Sequence, residues 1–173
     1  FYFPEMAEAI DLKRETVRLD GVEFASEKPV RRARVVPAER KVELPPAYRT
    51  AEEAEQLYSA RELDRAKDLF LRLLKETEER PLHARAYYGL ARIAALQKDP
   101  DAAEKLFEKT LGSSPDAQTK AWSLVYLGRL ADLAGEREQA AQHYRAALEV
   151  NGASRRARQA AEEGLQEGFS RQK

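Results

Sequence analysis

The 173-residue chain reads as an all-α stack of helix-turn-helix hairpins, preceded by an irregular arm that contains a β-hairpin. Three observations carry that reading. From about residue 48 onward apolar residues recur three and four apart, as in Leu63, Ala66, Leu69, Phe70, Leu73 and Leu74. A 37-residue period runs through the same region, since Ala66, Ala103 and Ala140 are evenly spaced by that interval. Clusters of Pro, Gly and Asp punctuate it.

The arm, residues 1–46, comes first. Phe1, Tyr2 and Phe3 open it, and Pro4 suits the start of a helix. Val17, Leu19, Val22 and Phe24 alternate about Asp20-Gly21, which predicts a hairpin. Pro29, Pro37, Pro45 and Pro46 keep the remainder extended. Lys28, Arg31, Arg32, Arg34, Arg40 and Lys41 make the 28–41 segment basic. A solvated linker, or the last strands of an upstream domain, is the expectation; a phosphate- or partner-binding arm is the alternative. The start at Phe1 rather than Met suggests a processing site or a piece of a longer chain.

Composition removes several function classes. Acidic and basic residues number 30 each, so the net charge is zero. A dedicated nucleic-acid binder carries a net basic face, so none is expected. No apolar run approaches 18 residues, so no membrane span is expected. The absence of cysteine excludes disulfides, thiolate nucleophiles and cysteine-ligated zinc.

The period fixes the helical elements. Four residues after each alanine stand Phe70, Phe107 and Tyr144, and four further on Leu74, Leu111 and Leu148. Twelve before each alanine stand Ala54, Ala91 and Gly128. Small residues recur because neighbouring helices approach closely there, and the aromatic one turn on fills the adjacent space. Gly128 gives up about 1 kcal/mol of helix propensity for that approach. Asp99-Pro100 predicts a capped helix start, Gly135 a helix end, and Gly112–Gln118 a connection between hairpins.

This small–small–aromatic frame resembles the tetratricopeptide repeat. The third copy matches best, through Leu127, Gly128, Gly135, Ala140, Tyr144, Ala147 and Leu148. The resemblance implies a right-handed α-solenoid with three units at 47–83, 84–120 and 121–154, and a capping helix and tail over 155–173. The family's unit has 34 residues, so the three extra are expected in loops or at the ends of the second helices.

Chemistry is sparse. His83 is expected in a loop and His143 on an outward helix face. No HExxH, GxSxG, phosphate-loop or dinucleotide motif occurs, so neither catalysis, metal nor cofactor is expected. The family's groove positions fall instead on Tyr48, Ala51, Glu55, Tyr58 and Ser59 in unit one. Unit two contributes Arg85, Tyr88, Arg92, Ala95 and Leu96, and unit three Trp122, Val125, Arg129, Asp132 and Leu133. Tyr, Trp and Arg carry binding hot spots. Arg92 and Arg129 are expected either to hold a carboxylate of an acidic peptide together or to make intramolecular ion pairs. The lysine and asparagine of the family's chaperone-tail clamp are missing.

The leading expectation is a non-catalytic protein-interaction module with a concave groove. Two alternatives stand beside it. One is an accessory module at the C-terminal end of a larger, exported enzyme. The other is self-association, with the N-terminal arm filling the groove of its own or a neighbouring copy. The partner, the compartment and the oligomeric state have no signal in the sequence.

Overall fold

A computed structural model describes residues 44–170, together with the backbone of 18–19 and 22–23. The chain divides into two units, Phe1–Lys41 and Val42–Lys173. In the first, β1 (Arg18–Leu19) and β2 (Val22–Glu23) pair antiparallel, with Leu19 opposite Val22. Only Asp20 and Gly21 separate them, which is the spacing of a two-residue hairpin. The helix start at Pro4 and the basic 28–41 segment lie outside the described residues.

Among the described residues the second unit has seven helices. They are α1 (Pro46–Ser59), α2 (Leu63–Glu76), α3 (Arg80–Leu96), α4 (Pro100–Gly112), α5 (Ala117–Ala134), α6 (Arg137–Leu148) and α7 (Arg155–Glu167). Local sequence sets their starts. Proline stands in the first turn of α1, α3 and α4, where its missing N–H costs nothing. Asp99 caps α4 by accepting from the Ala102 N–H at 3.0 Å. Asp116 caps α5, accepting from the Gln118 and Thr119 N–H groups and the Thr119 hydroxyl. Partial burial would raise the Asp116 pKa, but these bonds outweigh it and hold the carboxyl below its usual range. Because α3 begins at Arg80, His83 is helical, which corrects the loop expected there.

The hairpin turns share a device. Arg61, Lys98 and Gly135, one period apart, have φ of 66°, 62° and 83°. Each hairpin therefore turns through a left-handed residue at the same position, and only the third is glycine. The extra length over the family's unit does not extend the second helices, since α4 and α6 have 13 and 12 residues. In the second and third hairpins the first helices are the long ones, with 17 residues in α3 and 18 in α5, whereas α1 and α2 have 14 each.

Packing follows the period. Each helix packs on its hairpin partner, and α1, α3 and α5 also pack on one another in sequence. The outer helices α2 and α4 each pack on the first helix of the next hairpin, but the backbones of α2, α4 and α6 do not approach each other closely. Crowded first helices and splayed second helices give a curved solenoid with α1, α3 and α5 on the inner face. Helix α7 takes the place of a fourth first helix, against α5 and α6.

The small residues sit where the frame requires. Ala54, Ala91, Ala66, Ala103, Ala140, Phe70, Phe107 and Tyr144 are all fully buried. Gly128 is buried too, and a Cβ there would stand 2.6 Å from the Tyr144 ring. At the position of Gly128 the first two hairpins have Ala54 and Ala91, and the Phe70 ring is covered from α3 by Gly89, where a Cβ would stand 2.3 Å away. Glycine is needed beside Tyr144, whose ring is also covered by Gly164 of α7.

Candidate functional site

The inner face carries one residue of the same register from each first helix: Glu55, Arg92 and Arg129. The Arg92 Nη2 donates to both carboxylate oxygens of Glu55, at 2.8 and 2.7 Å. Its guanidinium carbon lies 4.1 Å from the Tyr58 ring centre and 4.5 Å from that of Tyr88. Burial raises the pKa of both hydroxyls against the pull of Arg92, and for Tyr88 pushes it well above the usual phenol range. Arg92 is thus held by two rings and a carboxylate, with its side chain only 15% exposed.

Arg129 is held by rings alone. Its guanidinium carbon lies 5.0 Å from the Phe169 ring centre and 5.7 Å from that of Tyr126. No carboxylate pairs with it among the described residues. The register position that would supply one, a hairpin earlier, is Arg92 itself.

Phe169 reaches this place through a buried polar knot. After α7 the chain turns at Gly168, with φ of 70°, and the Phe169 N–H donates to Asp132 Oδ2 at 2.6 Å. Tyr144 donates its hydroxyl to the same oxygen at 2.8 Å. Burial and that bond push the Tyr144 hydroxyl far above its usual pKa, so it remains a donor. Arg137 donates to Asp132 Oδ1 at 3.0 Å and to the Gly164 carbonyl at 2.7 Å. Asp132 therefore fastens α5, α6 and the end of α7 together.

The result is a cleft of about 290 Å³ on the inner face. Tyr58, Tyr126 and Phe169 give it aromatic walls, and Leu96, Leu130 and Leu133 an aliphatic floor. Arg92, Lys98 and Arg129 supply three cations, and among the described residues no acidic side chain lines it.

Of the sequence-predicted residues, Tyr58, Arg92 and Arg129 line this cleft, as do Ala95, Leu96 and Leu133. Glu55 and Tyr88 stand behind Arg92 as its supports. Tyr48 donates to Glu79 at 2.9 Å, and Arg85 is half-buried; neither lines the cleft. Trp122 packs tilted on Tyr126, with ring centres 6.1 Å apart.

Three expectations are corrected. Val125 is fully buried in the apolar cluster shared with α6 and α7, so it cannot meet a partner. Asp132 has a side chain 5% exposed and spends its oxygens on the knot, so it is structural. His143 is also half-buried, with a pKa lowered by burial against the pull of Glu104 and Glu108, rather than facing outward.

Sequence reasoning missed Lys98, Tyr126, Leu130 and Phe169. Tyr126 has Gly89 as its counterpart one period back, so no repeat signal marks it. Phe169 lies beyond the third copy of the frame.

Stacked hairpins with a preformed inner cleft define a helical-repeat scaffold. Residues 51–118 match the family model of the tetratricopeptide repeat. Such repeats generally mediate protein–protein interaction. No curated protein matches the chain. Among the described residues no group of His, Asp and Glu is placed to hold a metal, and no helix is long and apolar enough to cross a membrane.

Proposed function

We propose that this chain is a non-catalytic interaction module that docks a segment of a protein partner on the face of α1, α3 and α5. One observation carries the reading. Of the five large apolar side chains exposed among the described residues, Leu96, Leu133 and Phe169 meet in the same cleft. Exposed apolar surface gathered in a concavity marks an interaction site more than scattered leucines do. The cleft walls are held by Glu55, Tyr88 and Asp132, so docking orders little of the receptor. The same reading extends the repeat to the third hairpin, beyond the matched residues, where Gly128, Gly135, Ala140, Tyr144 and Leu148 keep the frame.

Site-specific photo-crosslinking tests it. Benzoylphenylalanine is placed singly at Leu96, at Leu133, and at Leu71 on α2, whose side chain is 41% exposed. A discrete adduct from the first two positions and none from Leu71 is expected. Equal adducts from all three, or none from the cleft, would refute the proposal. An adduct with a second copy of the chain would replace it with self-association.

A further inference from the structure

The inner-face register already contains one carboxylate on one guanidinium. Glu55 addresses Arg92 with both oxygens while Tyr58 and Tyr88 hold the guanidinium. One hairpin on, Arg129 is held in the same manner by Tyr126 and Phe169, and its carboxylate is missing among the described residues. Lys98 adds a further cation to the cleft, and among the described residues no acid lines it, in a chain whose acidic and basic residues number 30 each. A guanidinium keeps its charge at every working pH. Arg129 is half-buried, borders Glu163 and Glu167 on its other side, and on the cleft side has aromatic rings and an apolar floor, so it presents positive charge to the cleft. The cleft is therefore selective for an anion, and the internal Glu55–Arg92 pair shows the form the anion takes.

We infer that the cleft binds an acidic peptide segment whose carboxylate pairs with Arg129 as Glu55 pairs with Arg92, while a bulky apolar side chain beside it enters between Leu96, Leu133 and Phe169. This rests on the docking reading and sharpens it. The two arginines divide the work that sequence assigned to them jointly. Arg92 is already neutralised and serves as a wall. Arg129 reads the partner.

The probe is a random heptapeptide display library selected on the full chain. The best enriched peptide is then made in two forms, with its acidic residue intact and with that residue changed to the amide. Both are titrated by fluorescence anisotropy against the wild type, Arg129→Leu and Arg129→Lys. Circular dichroism melting checks that each variant folds, and the lysine variant keeps the test valid if the leucine one does not. Enriched peptides are expected to pair an acidic with a large apolar residue. Amidation is expected to weaken wild-type binding about tenfold or more. It should leave binding to Arg129→Leu unchanged, with Arg129→Lys between the two. Peptides without an acidic preference, or equal losses on wild type and Arg129→Leu, overturn the inference and leave docking standing. Enrichment of no peptide at all overturns both.

Discussion

Gly128 and Tyr144 are matched to each other. In the first two hairpins alanine faces phenylalanine, as Ala54 with Phe70 and Ala91 with Phe107. In the third, the tyrosine hydroxyl must reach Asp132, one turn beyond Gly128, and its ring crosses the glycine to do so. Gly128→Ala gains up to about 1 kcal/mol in helix propensity but overpacks the ring, and a net loss of about 1–3 kcal/mol is expected in urea unfolding. Adding Tyr144→Phe restores the pairing of the other hairpins and frees the ring from Asp132. The double variant should therefore lose less than the sum of the two single changes. This part of the core was legible because close packing dictates side-chain size, and size recurs in the sequence. Val125 and Asp132 were misread for the opposite reason. A repeat position states which way a residue points on its own helix, not which neighbouring helix or tail will cover it.

At the scale of elements, the hairpin turns make a prediction of opposite signs at equivalent sites. A left-handed backbone costs a residue with a Cβ roughly 1–2 kcal/mol, and glycine escapes that cost. Arg61 is exposed and left-handed, with φ of 66°. Arg61→Gly should stabilise the chain by about 0.5–1 kcal/mol, once the greater freedom of unfolded glycine is subtracted. Gly135→Ala should destabilise it by about 1–2 kcal/mol. Paired urea melts of the two variants check both signs. The third turn was legible, since glycine after a helix announces it. The second was legible from Asp99-Pro100 but the first was not, and neither arginine nor lysine announces the left-handed backbone that the hairpin geometry imposes on it. The caps Asp99 and Asp116 belong with the features a sequence displays, since each side chain bonds only to its own chain neighbours.

In the helical unit as a whole, the cap and the cleft are one construction. Helix α7 covers the Tyr144 ring through Gly164, and the residue after its terminal glycine becomes a wall of the binding face. The repeat frame showed that a capping helix follows the third hairpin. It could not show that the cap's tail folds back to Asp132, because that contact has no counterpart in the earlier hairpins. Position 132 corresponds to Ala95 and Tyr58 there. The inner face of α1, α3 and α5 thus has small residues in register beneath it and, among the described residues, one arginine without an acid, on which the proposed selectivity rests. The structure of the full chain bound to the selected acidic peptide measures this most directly. The peptide carboxylate should lie within hydrogen-bond distance of the Arg129 guanidinium, with the apolar side chain against Leu96, Leu133 and Phe169. A peptide seated on the outer helices α2, α4 and α6, with the cleft untouched, would contradict it.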